Sequence, residues 1–376
     1  MARSPEAPVE PDTIVAARIS TGHDVESAAK KLGVAPEKLN SWELGDARPT
    51  LAQARNMAKL YGTTIAALLT NIEANFEPVP RLPDFRRDHD RPVTTAVIGE
   101  LRKARDRRKR LLELSGPTGE FPRLDLRRSS IEEVANEVRR LTGVSIDDQR
   151  KFRDAGAALN GWIRAVERLG VLVFQVSRIP TSEFLGMSYY EELQPIILLN
   201  GADIPQRRIF TLFHELGHLL SRTSGICDIY SGGASESTCN AFAAAFLLPE
   251  AALLAALGHQ EPIGALDRLS KHFRVSQSAV AVRLRELGRI SARELSRQLA
   301  IAREKAQAPR EPSDNAGFVP PYVLKLRNLG ETYVSSVLDA MHEGTISAVD
   351  ASYFLDAKLP TIDKMEREIA KRAVGQ

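Results

Sequence analysis

Phe210-Thr211-Leu212-Phe213-His214-Glu215-Leu216-Gly217-His218-Leu219-Leu220 is an apolar, proline-free run holding two histidines four residues apart. On a helix, residues at that spacing share a face, with Cβ atoms roughly 5–6 Å apart. His214 and His218 can therefore hold one Zn²⁺ from a single turn. Glu215, one step round, can stand beside the metal without ligating it and take a proton from an attacking water. The flanking Leu212, Phe213, Leu216, Leu219 and Leu220 mark the helix as buried, and unpaired polar groups in a core are costly. The plain alternative is a pair of satisfied core histidines.

A catalytic zinc site needs a third protein ligand and one open position. The metzincin pattern would place Gly at 221 and His at 224; this chain has Ser221 and Ser224, which excludes that class. Further on, Ser235-Glu236-Ser237-Thr238-Cys239-Asn240 leads into an alanine-rich run. It reads as a helix that stops near Leu248, before Pro249. Glu236 lies near its start and Asn240 one turn later on the same face. A carboxylate at 236 completes a His₂Glu set. Cys239 reads as a buried structural cysteine in preference to a fourth ligand or redox switch. His23, His89, His259, His272 and His342 fall in no ligand spacing.

Arg207-Arg-Ile-Phe-Thr-Leu-Phe-His-Glu-Leu-Gly-His218, followed by Glu236-x-x-Cys-Asn-x-Phe-Ala-Ala-x-Phe-Leu-Leu-Pro249, resembles the ImmA/IrrE family of metallopeptidases. The similarity covers residues 150 to 290 or so. It implies Zn²⁺ held by His214, His218 and Glu236, with Glu215 as general base. It also implies a protein substrate, typically a transcriptional repressor or other regulator of phage, mobile-element or stress genes.

The order of residues 13–72 is helical throughout. Asp24 can cap a helix through Leu32 with Val25, Ala28, Ala29 and Leu32 inward; Gly33-Val34-Ala35 turns; Pro36 opens a helix through Trp42. Leu51, Ala54, Met57, Ala58 and Leu60 form a further helix, and Thr63 to Leu69 a last one. Ala28 to Gly45, with Pro49, resembles the Cro/repressor-type (XRE) helix-turn-helix. The resemblance implies DNA binding through residues 24–45, with Glu37, Lys38, Asn40 and Ser41 as readers in the major groove and Leu39 and Trp42 in the core. Two features depart from it. Val25 stands where such domains usually carry a phosphate-gripping glutamine, and residues 1–72 hold eight Lys/Arg against eight Asp/Glu. DNA affinity rests on basic side chains, so a helical module that docks a protein or dimerises is the alternative.

With 376 residues, 43% hydrophobic and 26% charged, the composition is that of a soluble globular chain of two or three domains. No apolar run approaches the roughly 20 residues that span a bilayer, so no membrane partner is expected. The N-terminus has no signal-peptide core. Two cysteines suggest a reducing, cytoplasmic setting. A net charge of +3 does not by itself argue for nucleic acid.

The expected fold is mainly α with a small β-sheet (α+β). It comprises a five-helix helix-turn-helix domain over 1–75, a linker and basic helix over 76–128, and a minimal zincin-like core over 129–255. A second helix-turn-helix-like region follows over 256–304 and a helical C-terminal region over 305–376. Residues 1–11 read as a loose arm and 73–92 as a proline-rich linker laid down by Phe76 and Phe85. A helix over 93–114 presents Val97, Leu101, Ala104 and Leu111 on one side. Its other side carries Arg102, Lys103, Arg105, Arg107, Arg108, Lys109 and Arg110, a solvated face or else a nucleic-acid or acidic-partner surface. Helices are expected over 130–142 and 147–169, and strands over 170–176, 183–190 and 195–200. Residues 183–190 are the expected exposed edge for an extended substrate; Tyr189, Tyr190 or Tyr230 could reach an oxyanion, but a core or surface role is the preferred reading of each. Ile263–Phe273 and Ser276–Leu287 make a second helix-turn-helix shape that could touch DNA but should rather brace the active site, 305–320 form a polar linker, and 321–374 pack as helices. The leading function is a zinc endopeptidase acting on a regulator. The alternatives are a DNA-binding regulator or antitoxin that uses the peptidase fold mainly to bind a partner, and a non-proteolytic zinc hydrolase.

Overall fold

The computed structural model describes residues 5–63, 65–69, 94–227, 234–307 and 319–374. Phe76 and Phe85, Tyr230, and the expected linker from 308 to 318 lie outside the described residues. The chain divides into two compact units, residues 1–81 with 92–103, and residues 82–91 with 104–376. No single described helix is long and apolar enough to cross a membrane.

The first unit holds α1 (Pro11–Ser20), α2 (Val25–Leu32), α3 (Pro36–Glu43), α4 (Leu51–Leu60) and α5 (Ile65–Leu68). The local chemistry is as read. Asp24 accepts from the Ser27 amide at 2.7 Å, and Gly33 ends α2 in the left-handed region at φ 69°. Pro36 starts α3, and Thr50 with Gln53 forms a capping box on α4. Ile14, Ala28, Leu39, Trp42, Met57 and Tyr61 make the core. Arg18 grips the Glu43 carboxylate with both arms (2.7 and 2.8 Å), tying α1 to the end of α3. The expected loose arm is corrected from residue 5 onward. Ala7 and Val9 are buried, and the chain there bonds to the segment before α4 through Ala7 N–H to Pro49 O and Leu51 N–H to Pro5 O. Apolar Ala7 and Val9 gain more from this burial than a free arm would retain in entropy.

Helix α6 (Thr95–Ser115) contributes its first turns to this unit and the rest to the second. Val97, Leu101, Ala104 and Leu111 are all buried, as expected. Its arginines are not a free basic face. Arg105 lies over the Tyr189 ring, Arg107 over Phe174, and Arg110 over Tyr353 and Phe354, at 5.0–5.4 Å. Arg108 donates to the Leu193 and Gln194 carbonyls.

The second unit is built on β1 (Leu172–Val176), β2 (Gly186–Tyr189), β3 (Ile196–Asn200) and β4 (Gly225–Cys227), in the order β1-β3-β2-β4. β1 and β3 are parallel; β2 is antiparallel to both β3 and β4. The expected edge at 183–190 is therefore corrected: β2 is interior, because β4 occupies its outer side. Among the described strands, β1 and β4 are the edges. β4 was not foreseen, since three residues carry no readable alternation.

Helices α7 (Ile131–Thr142), α8 (Ile146–Lys151) and α9 (Ala155–Glu167) precede the sheet. The single helix expected over 147–169 is two. Phe152 turns extended at ψ 129°, and Asp154 caps a fresh helix through the Ala157 amide. α10 (Pro205–Leu220) and α11 (Ala234–Leu247) follow β3 and β4. Trp162, Phe213 and Phe246 bring α9, α10 and α11 together, ring centres 4.0–5.3 Å apart. α12 (Glu250–Leu257), α13 (Leu266–Phe273), α14 (Gln277–Glu286) and α15 (Ala292–Gln307) continue the chain. α16 (Pro321–Leu329), α17 (Glu331–His342), α18 (Ala348–Phe354) and α19 (Leu359–Val374) complete it.

α13 and α14 repeat the α2–α3 turn. Val275 N–H reaches Ser270 O as Val34 N–H reaches Ala29 O, both at 3.0 Å. Arg274, at φ 57°, takes the left-handed place held by Gly33. This pair packs into the core of the second unit. Arg283 of α14 is buried; it donates to the Leu248 carbonyl at 2.9 Å and pairs with Glu132 of α7. Gln149 of α8 donates to Leu247 O at 3.0 Å, and Arg139 of α7 to Phe246 O at 3.1 Å. Three consecutive carbonyls at the end of α11 are thus held by three other helices, as its unpaired last-turn oxygens require.

Candidate metal centre

α10 is buried along almost its whole length: its apolar residues face the core, and its polar stripe of Thr211, His214, Glu215 and His218 is covered by β2 and α11. Pro205 opens it, and β3 delivers the chain to that point. α11 crosses α10 at Gly217. A side-chain carbon there would meet Cys239 Cα and Phe242 Cδ1 at 3.2 Å, so the glycine permits the close approach. The crossing brings Glu236, near the start of α11, against the two histidines.

His214 Nε2 lies 3.1 Å from one Glu236 oxygen, and His218 Nε2 lies 3.0 Å from the other. The two Nε2 atoms are 3.2 Å apart. All three residues are at most 1% exposed. Ligands about 2.05 Å from a tetrahedral zinc lie about 3.3 Å from one another, so the spacing fits that ion. Two imidazoles and one carboxylate are a donor set for zinc, where magnesium or calcium would want oxygens.

The outer ring nitrogens decide what the inner ones present. His214 Nδ1 is 2.9 Å from Asn240 Oδ1, a carbonyl oxygen that only accepts. His218 Nδ1 is 3.2 Å from Thr223 Oγ1, whose one proton is donated to the His218 carbonyl at 3.0 Å. Both rings therefore carry hydrogen on Nδ1. Their Nε2 lone pairs face each other and a carboxylate across about 3 Å, an arrangement that only a cation or a shared proton relieves. The charge balance agrees. Burial pushes Glu236 up, yet the hydrogen bonds from His214 and His218 outweigh it and hold the carboxyl near 2. Burial works against a charge on His214, but the Glu236 hydrogen bond and the Glu215 and Glu236 charges carry it above the ordinary imidazole value. His218 is driven below that value by burial, with Glu236 opposing and His214 assisting.

Glu215 is wholly buried beside this cluster. It faces β2 at Gly186, where a side-chain carbon would lie 2.5 Å from Glu215 Oε1 and 2.4 Å from Thr211 Cγ2. The missing side chain is what leaves room for the carboxylate.

The expected site residues His214, Glu215, His218 and Glu236 come together. Cys239 is buried under Gly217, and burial pushes its thiol well up, which suits a structural cysteine. Tyr189 is a buried core residue, the preferred reading over an oxyanion donor. Strand alternation puts Gly186 and Ser188 on the α10 side, and Tyr189 on the other, beneath Arg105. Tyr190 uses its backbone N–H on Ser224 Oγ, 2.8 Å away. In the first unit, Glu37, Lys38 and Asn40 are exposed on α3, and Ser41 is half-buried with its hydroxyl on Lys38 O. Leu39 and Trp42 are core. Thr223 and Gly186 were missed: a threonine and a glycine outside any motif carry no local signal, and only the fold sets them beside the centre.

The comparisons with known proteins fall on the same segments of the chain. The IrrE N-terminal-like domain model matches residues 166–285, and a helix-turn-helix model matches residues 14–68. The radiation response metalloprotease IrrE of Deinococcus radiodurans is 39% identical over 101 residues, covering 24% of this chain and 31% of that protein. The chain thus matches under a third of that relative's length. No solved structure matches the chain. The chain thus joins a segment similar to the IrrE N-terminal-like domain, residues 166–285, to a helix-turn-helix domain at residues 14–68.

Proposed function

We propose that the chain is a zinc-dependent cytoplasmic endopeptidase coupled to a helix-turn-helix module, and that it cleaves a regulatory protein, a repressor or antitoxin-type partner, to control transcription. The observation that carries this reading is the buried meeting of His214, His218 and Glu236 with Glu215 alongside. His214, His218 and Glu236 would hold the zinc. When bound, the ion supplies Lewis acidity towards a peptide carbonyl and makes water more acidic. Glu215 takes the proton of the attacking water and returns it to the leaving amine. Its burial keeps bulk water from competing, and Gly186 fixes its place.

Glu37, Lys38, Asn40 and Ser41 are the proposed DNA contacts. They would bring the peptidase to a repressor on its operator. The helix-turn-helix match also supports the rival reading, a DNA-binding regulator that uses the peptidase fold to hold a partner. Zinc content of wild type, His214→Ala and Glu236→Ala comes first; one zinc per chain, lost in both variants, is expected. Glu215→Gln then separates the readings. It should keep zinc and partner but abolish cleavage. Unchanged regulation by Glu215→Gln in cells would leave the binding reading standing and overturn the peptidase one.

A further inference from the structure

We infer that Asn240 and Thr223 are positioning residues that set the two histidines for the metal, each acting on one ring. The inference rests on the metallopeptidase reading above and extends it to side chains that make no contact with the metal themselves.

The two are unlike in origin. Asn240 stands on α11, one turn after Glu236, so a single helix supplies both a ligand and the group that orients another ligand. Thr223 lies just past the end of α10. Its amide and hydroxyl both bond the His218 carbonyl, at 2.9 and 3.0 Å, which folds the chain back over the ring. The next residue, Ser224, receives the Tyr190 amide at 2.8 Å and so anchors this turn to the end of β2. Each partner imposes Nδ1–H and leaves the Nε2 lone pair for the ion. An imidazole free to take the other tautomer, or to rotate, would present a proton where a lone pair is needed.

Loss of the partner should weaken the metal about 10–100-fold. A conservative change that keeps an acceptor should not. Asn240→Asp retains a carboxylate oxygen towards His214, and Thr223→Ser retains the hydroxyl.

The experiment measures zinc affinity by competition with a chromophoric chelator. Wild type is compared with Asn240→Ala, Asn240→Asp, Thr223→Val and Thr223→Ser. The visible absorption of the Co²⁺ forms is recorded alongside. Weakened zinc and an altered cobalt spectrum in the Ala and Val variants, with recovery in the Asp and Ser variants, are expected. Metal-free circular dichroism shows whether each variant folds. Wild-type affinity in Asn240→Ala and Thr223→Val would overturn the positioning role and leave the metallopeptidase reading intact. So would folded Asp and Ser variants that bind no better than Ala and Val. A wild type that takes up no zinc would overturn the reading on which the inference rests.

Discussion

Glu167 closes α9 and is buried, only 5% exposed. It faces Gly330 and Thr332 at the start of α17, beside a small cavity of ≈ 70 Å³ lined also by Arg164, Arg327, Glu331 and Arg372. Burial drives its pKa from 4.5 to about 8; hydrogen bonds from Thr332 and the Arg164 charge only moderate this, and Glu331 adds to it. The unfolded chain thus releases this proton above pH 4.5, while the folded one keeps it until about pH 8. Between those values the unfolded state binds fewer protons, so stability falls as pH rises. At about 1.4 kcal/mol per unit, the loss by pH 7 is about 3 kcal/mol, a large share of a typical 5–15 kcal/mol. Glu167→Gln cannot ionise and keeps the volume. Its advantage over wild type should be small at pH 5, grow to about 3 kcal/mol at pH 7, and level off beyond pH 8. Urea unfolding followed by Trp162 fluorescence, in a Trp42→Phe background, reports this unit alone. The ionisations common to both proteins cancel in the difference. An advantage that does not change between pH 5 and pH 8 would refute the reasoning.

Two further outcomes follow from the packing. Gly217→Val forces α10 and α11 apart at their 3.2 Å contact, costing about 1–3 kcal/mol; calorimetry should show the lower transition, and zinc affinity should fall with it because Glu236 recedes from the histidines. Arg274→Gly relieves a left-handed residue at φ 57° and should stabilise the second unit by about 0.5–1 kcal/mol, a gain that chemical denaturation would miss only if the turn is unstrained.

The centre was legible because its chemistry is local: His214, Glu215 and His218 share a turn, and Glu236 heads a helix whose alanines and terminal proline announce it. The helix-turn-helix was legible for the same reason, through Asp24, Gly33 and Pro36. Where partners are distant, the sequence is silent. Nothing near Arg105, Arg107 or Arg110 shows that Tyr189, Phe174 and Tyr353 will lie beneath them. Glu167 is indistinguishable from a surface acid until α17 covers it. The break at Phe152 hides inside a continuing helical pattern, and β4 is too short to alternate.

The grip of Arg139, Gln149 and Arg283 on the end of α11 has a consequence for what this chain can tolerate in length. Glu236 and the Leu248 carbonyl are the two ends of one rod, 12 residues or about 18 Å apart. One residue added between them turns one end by about 100° and moves it about 1.5 Å. Either the carboxylate leaves the histidines or the carbonyls leave their donors. The stretch from 237 to 246 should therefore reject insertions and deletions of any size, while accepting many substitutions on its outer face.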